Sequence, residues 1–202
     1  LLTHSGHAYK ATSPTELRSV AEQERQVMSH FARRLREQGI AVPAISVGST
    51  PAMSAVADLA DIDEARAGNY VFFDRAQVAL GSCRVTDCAA TVLASVVSSQ
   101  PGADHCVIDA GALSLSKDDG NLDRHPDSMG GVFRDYANGL LSAGAEVRAL
   151  SQEHGIVSRA LPVGQRVRIL PNHSCLTVAC FDECAAVRGD QVVDRWRIWR
   201  GR

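Results

Sequence analysis

Lysine is almost missing from this chain. Of 21 basic side chains in 202 residues, only Lys10 and Lys117 are lysines, so chemistry that needs a lysine amine has two positions to choose from. No apolar run approaches the roughly 20 residues of a membrane-spanning helix. Charge of one sign is not in excess either. A formal net charge of −2 gives no sign of a nucleic-acid or anionic-membrane partner. No signal peptide is recognisable, so the six cysteines (83, 88, 106, 175, 180 and 184) read as reduced thiols of a cytoplasmic protein rather than a disulfide framework. The chain opens on Leu1-Leu2-Thr3, without an initiator methionine, and is expected to be a fragment.

Against these absences one stretch organises the rest: Ile45-Ser46-Val47-Gly48-Ser49-Thr50-Pro51. Its first residues read as the end of a buried strand. Thr50-Pro51 read as a helix start, with Thr50 at the N-cap and Pro51 at the first helical position. Gly48 and Ser49 then lie in a tight strand-to-helix turn, which offers an anion unpaired amides, two hydroxyls and the positive end of a helix.

Upstream, Leu1 to Tyr9 reads as a strand ending in a polar, ring-bearing turn. Ser13-Pro14-Thr15-Glu16 is a capping box. It is followed by Leu17, Val20, Ala21, Val27, Met28, Phe31 and Leu35 at helical spacing, with Gly39 as the stop. Residues 51–60 read as a second helix, 66–69 as a turn and Tyr70-Val71-Phe72-Phe73 as a strand. Alternation of strand and helix is the grammar of a parallel α/β sheet or barrel.

After about residue 80 the pattern becomes β: 90–97, 106–111, 155–157, 166–170, 176–180, and a hairpin around Gly189-Asp190. Residues 115–145 read as a long polar loop. The predicted domains are therefore 1–80 and 81–202.

Two constellations carry further chemistry. His173 and Cys175 stand two apart in Pro171-Asn172-His173-Ser174-Cys175. In an extended segment both face one side and suit zinc, with open positions for water or substrate. Glu153-His154 puts acid and imidazole groups in a turn, where they are candidates for proton transfer.

Together the motifs T-H-S-G-H-A-Y (3–9), V-G-S-T-P (47–51), R-A-G-N-Y-V-F-F-D (66–74), D-A-G-A-L-S (109–114), L-S-Q-E-H-G (150–155), P-N-H-S-C-L-T-V (171–178) and R-G-R (200–202) resemble the fold-type III pyridoxal-phosphate enzymes. Within them, the resemblance is to the branch of D-serine dehydratases and D-threonine aldolases. It implies an α/β plus β fold: the second half of an alanine-racemase-like (β/α)8 barrel, followed by an all-β domain. It implies that Gly48, Ser49 and Thr50 hold the cofactor phosphate, with Gly68, Asn69 and Tyr70 adding to the cup. His4 and Tyr9 belong to the cofactor site, and Arg66 to the position facing the pyridine nitrogen. His173 and Cys175 match the family's metal pair, for Zn2+ or another divalent ion such as Mn2+.

The implied activity is that of a lyase acting on β-hydroxy D-amino acids, as a dehydratase or alternatively as a retro-aldolase. A non-catalytic module that lost the cofactor is the reading from a different class. A homodimer is implied as well. The family's Schiff-base lysine lies in the amino-terminal barrel half, and neither Lys10 nor Lys117 matches it, so this chain by itself is expected to be inactive.

Overall fold

The structure is a computed structural model that describes residues 1–120 and 127–200. The chain divides into two compact units, Leu1–Val71 with Gln77–Arg84, and Phe72–Ala76 with Val85–Arg202.

The first unit is built on one long helix, α1 (Pro14–Glu37). The Ser13 hydroxyl accepts the Glu16 amide at 3.2 Å, and Pro14 supplies a helical φ where no N–H is needed. The Glu16 carboxylate does not return to the Ser13 amide as in an ideal capping box. It accepts instead from the Thr12 amide and hydroxyl, at 2.7 and 2.8 Å. Leu17, Ala21, Met28 and Ala32 form the buried stripe. Val27 and Phe31, expected on that stripe, are exposed, and their place is taken by the buried carboxylate Glu24.

Strand β1 (Ser46–Val47) follows, then helix α2 (Thr50–Ala55) and strand β2 (Glu64–Ala65). β1 pairs in parallel with β2, and Leu2 bridges to Ser46 in parallel. Three extended segments thus run the same way, as the alternating pattern requires. Ile45 and Val47 bury against Met28, Ala32 and Val42.

Several local expectations are corrected here. The helix expected over 51–60 is Thr50–Ala55, and its N-cap is Ser49, not Thr50. The strand expected at 70–73 precedes the 66–69 turn, as β2. Gly68–Val71 is a 3-10 turn, and Phe73 has φ 51°, which no strand tolerates. α3 (Arg75–Ala79) follows it.

The second unit is a closed antiparallel barrel. Its strands are β3 (Val92–Ser98), β4 (Cys106–Ile108), β5 (Gly130–Asp135), β6 (Leu140–Leu150), β7 (Gly155–Val157) and β8 (Arg166–Pro171). They close in the order β3-β4-β7-β6-β5-β8, so no edge is left open. Period-two burial explains the sequence: Val92, Ala94 and Val96 of β3 point inward with Ile108, Val147, Val157 and Ile169. Fully burying each such side chain stabilises by roughly 1.5–3 kcal/mol before entropy.

The described residues of the expected loop over 115–145 include regular elements. The segment carries the short helix α4 (Ala112–Leu115) at its start, then β5 and part of β6. The strand expected at 176–180 is instead helix α5 (Ser174–Val178). The terminal hairpin forms as read, from β9 (Glu183–Arg188) and β10 (Gln191–Arg197). Among the described residues no helix is long and apolar enough to cross a membrane.

Candidate functional site

In the first unit the V-G-S-T-P turn is built for close approach. Gly48 has φ +122°, and a Cβ there would lie 3.1 Å from the Arg66 amide and from Met53, so only glycine fits. Ser49 Oγ caps α2 by accepting the Ala52 amide at 3.4 Å. Ser49 and Thr50 are almost fully buried, and Thr50 Oγ1 is a buried hydroxyl with no hydrogen-bond partner.

The Gly48 amide, expected to be unpaired, is not: it donates to Glu24 Oε1 at 3.2 Å. Glu24 Oε2 also accepts from the Ser5 hydroxyl at 2.9 Å. A carboxylate there repels an anion, so the anion-binding capacity of the turn falls to Ser49 and Thr50.

The other residues named for this site take separate places. His4 Nδ1 donates to the Gly48 carbonyl at 2.9 Å, which fixes its tautomer and leaves Nε2 as the acceptor nitrogen of the neutral ring. Arg66 is held by the Ser46 hydroxyl at 2.8 Å and by the Thr3 carbonyl. The Ser46 hydroxyl in turn donates to Glu64 at 2.5 Å. Asn69 is buried and Tyr70 exposed, while Tyr9 is half-buried and Gly68 exposed.

The second unit holds the His173/Cys175 segment, and not in the extended form expected. His173 is the N-cap residue of α5, and Cys175 lies in its first turn. The two side chains still meet by a hydrogen bond. Asp118 Oδ2 lies 3.1 Å from His173 Nδ1, so Nε2 is the imidazole nitrogen left for a ligand. The bond with Cys175 raises the His173 pKa most, burial opposes it, and Asp118 adds to the rise, bringing it to about 9. Asp118 is itself fixed, accepting the Gly120 amide at 2.6 Å. Among the described residues no three His, Cys, Asp or Glu side chains enclose a metal position. A metal here would have two protein ligands and open places, with Asp118 behind the imidazole.

Beneath this segment lies a buried polar scaffold that sequence reading did not single out. Asp74 Oδ2 accepts the Ser174 amide at 2.9 Å, capping α5 from 100 residues away. Asn172 donates to the Ser128 and Asp119 carbonyls at 2.5 and 3.2 Å, and its own carbonyl accepts the Ala76 amide at 3.3 Å. Arg75 bonds the Ser128 hydroxyl and pairs with Glu146 at 2.5 Å. Thr177 Oγ1 donates to the Leu115 carbonyl at 3.0 Å. The one available signal was the terminal Asp of the R-A-G-N-Y-V-F-F-D motif.

Glu153 and His154 lie in the exposed turn joining β6 and β7. Among the described residues no hydrogen bond joins the two side chains, and none links them to His173 or Cys175. The turn's backbone carries the packing. Ala112 N donates to Ser151 O at 2.9 Å, and a Cβ on Gly111 would lie 2.4 Å from the Gln152 carbonyl, which explains the glycine of the D-A-G motif.

The fold class is that of alanine racemase. Alanine racemase from Clostridium difficile superposes with a TM-score of 0.51 over 97% of this chain and 55% of its own, at 15% identity. Within that class the likeness narrows sharply. D-threo-3-hydroxyaspartate dehydratase of Delftia sp. is 37% identical over 100% of this chain and 56% of its own length. Its structure superposes with a TM-score of 0.89 over 99% of this chain and 55% of the other, and a mutant of that enzyme has been solved in a metal-free form. D-serine dehydratase of Dictyostelium discoideum is 32% identical over 98% of this chain and 53% of its own length. Residues 89–187 match the family described as a putative serine dehydratase domain. The chain belongs to this family of D-serine dehydratases and D-threonine aldolases, and it spans about half the length of the curated relatives it matches.

Proposed function

We propose that this chain carries the phosphate cup and the metal-binding arm of a lyase that uses pyridoxal phosphate and zinc to eliminate water from a β-hydroxy D-amino acid. The reading rests on one observation above the others. His173 and Cys175 meet at the start of α5, with Asp118 behind the imidazole, and the relatives include D-amino-acid dehydratases beside a D-threonine aldolase.

The residues fit the cofactor at one place. Thr50 Oγ1 is a buried donor with no partner, beside a glycine turn that no side chain can fill, and a phosphate oxygen satisfies it. Pyridoxal phosphate, when bound, supplies the electron sink for charge developing at Cα. Ser49 and Thr50 would hold its phosphate through their hydroxyls and the Thr50 amide, since Pro51 has no N–H and the Ala52 amide is taken by Ser49 Oγ. His4, locked by Gly48, presents Nε2 as a fixed edge. A zinc held by His173 Nε2 and the Cys175 thiolate supplies Lewis acidity toward a β-hydroxyl. Asp118 keeps the imidazole in the Nδ1–H form, and Asp74 keeps the backbone turned so that both side chains share one side.

An imidazole–thiolate pair, rather than two carboxylates, favours elimination over retro-aldol cleavage. Glu153 and His154 remain candidates for proton transfer.

The test is the full-length protein incubated with D-serine and, separately, D-threonine. The proposal expects pyruvate and ammonia from D-serine, lost on chelation and restored by zinc. Glycine and acetaldehyde from D-threonine, without any elimination, identify an aldolase instead. A colourless protein inert to both is a module without the cofactor.

A further inference from the structure

A cleft of about 440 Å³ opens on the barrel beside β5, β6 and β8, and its lining includes Arg134, Arg159, Arg166 and Arg168. None of its lining residues belongs to the candidate site or to the scaffold under α5. No Asp or Glu lines it. Asp135, next to Arg134 in sequence, is turned to Asn138, accepting its side-chain amide at 2.7 Å and its backbone amide at 3.2 Å. Among the described residues none of the four guanidinium groups forms an ion pair, although the chain as a whole is acidic by two charges.

Two of the four are also held in place. The Arg168 guanidinium lies 4.3 Å above the Tyr136 ring and donates to the Thr91 hydroxyl at 3.0 Å. Arg159 donates to Ser142 Oγ at 3.4 Å. A positioned guanidinium loses less freedom when it forks onto an oxyanion than a free one does. Arg134 is partly offset by the neighbouring Asp135 carboxylate, and the remaining positive charge of the lining favours entry of an anion.

We infer that this cleft is a binding site for a small multivalent oxyanion, a metabolite carrying two or more phosphate or carboxylate groups. The planar forks of the arginines suit both groups, since each presents paired oxygens. Ser142 and Gln165 in the lining add uncharged polar contacts. The size argues for a metabolite, because the volume lies within the range of small-molecule clefts. A nucleic acid calls for a basic domain, and this chain is acidic by two charges. The inference does not rest on the lyase reading, since it uses none of those residues.

The experiment is calorimetric titration of the chain at low ionic strength with pyrophosphate, citrate and inorganic phosphate. Pyrophosphate separates a preference for phosphate groups, and citrate one for carboxylates. The inference expects one of the two to bind at least ~10-fold tighter than inorganic phosphate, with affinity falling as salt is added. The double variant Arg159→Gln/Arg166→Gln should weaken it ~100-fold or more.

Arg18→Gln/Arg33→Gln, which removes the same charge from α1, should leave it unchanged. Ser49→Ala/Thr50→Val removes any anion binding by the phosphate cup, and the tighter titration should persist in it, which separates this site from the cup. Arg159→Lys/Arg166→Lys keeps the charge and serves if the glutamine pair fails to fold. It should still bind, but more weakly, because the forks are lost.

Equal losses in the two charge-removing doubles would mean only a general field, and overturn the inference. So would loss in the cup variant, absence of pyrophosphate and citrate binding, or binding of heparin that neither small anion displaces.

Discussion

Replacing Thr50 with Val tests the phosphate cup with two effects of opposite sign. Thr50 Oγ1 is buried without a partner, and a buried hydroxyl in that state costs about 1–3 kcal/mol. Val has nearly the same shape, and both residues are β-branched with similar helix propensity. In the cofactor-free protein, Thr50→Val should therefore raise stability by about 1 kcal/mol, or roughly 2–4 °C in melting temperature for a chain of this length.

With pyridoxal phosphate the sign reverses. The hydroxyl's bond to a charged phosphate contributes about 1.5–3 kcal/mol, so its loss weakens binding roughly 10- to 150-fold. Pyridoxal, which lacks the phosphate, should bind both proteins alike. Thermal melts of the cofactor-free full-length protein and absorbance titrations with the two ligands read all three quantities. If Thr50→Val lowers stability without cofactor, the hydroxyl has a structural partner. If it weakens pyridoxal as much as pyridoxal phosphate, the turn does not hold the phosphate.

Asp118→Asn should weaken zinc binding about 10- to 100-fold at neutral pH, measured by chelator competition with cofactor absorbance unchanged. The metal-free imidazole titrates near pH 9, so zinc affinity of the parent should rise with pH up to that point as the competing proton leaves. A flat profile between pH 6 and 9 would put the metal elsewhere. Asp74→Ala removes the carboxylate cap of α5 and should destabilise the second unit by about 1–2 kcal/mol in urea denaturation; no change would mean that α5 is held without it. The Cys106 thiol is 1% exposed, and burial raises its pKa. It should therefore react with a maleimide reagent after the exposed Cys175 and Cys180, as peptide mass mapping would show.

Some local signals were read correctly, although the N-cap of α2 was placed one residue late, at Thr50 instead of Ser49. Ser13-Pro14 and Gly39 bracket α1 because caps act within a few residues. The barrel strands announce themselves because β-branched runs alternate into one core. Errors arose where a distant group decides the conformation. Tyr70 to Phe73 has strong strand propensity, yet the chain turns sharply there before Asp74, whose carboxylate meets the Ser174 amide. Leu176 to Cys180 has the composition of a strand, yet it begins from an amide capped by that same Asp74, and Thr177 is tied to Leu115. One contact across 100 residues accounts for much of both misreadings. The 115–145 segment misled by composition: Gly130 and Gly131 look like loop residues, but a Cβ on Gly130 would sit 2.9 Å from Ile169, so they are the price of close packing in β5.

The site shows the same division between local and distant information. His-x-Cys identified two side chains that do meet, although the expected extended geometry was wrong. In a strand, i and i+2 share a face through the pleat. Here an extended N-cap residue and the first turn of a helix bring them together, and the turn exists because Asp74 holds it. The spacing alone therefore brings the pair to notice but not the direction in which its side chains point. That direction is set by three groups with no sequence proximity to the pair: Asp118 on the imidazole, Asp74 on the Ser174 amide, and Ser128 receiving Asn172. On the proposed metal reading, a substitution at any of the three should alter metal binding without touching His173 or Cys175. The H-x-C pair in a chain lacking those partners carries correspondingly less weight as evidence of a metal site.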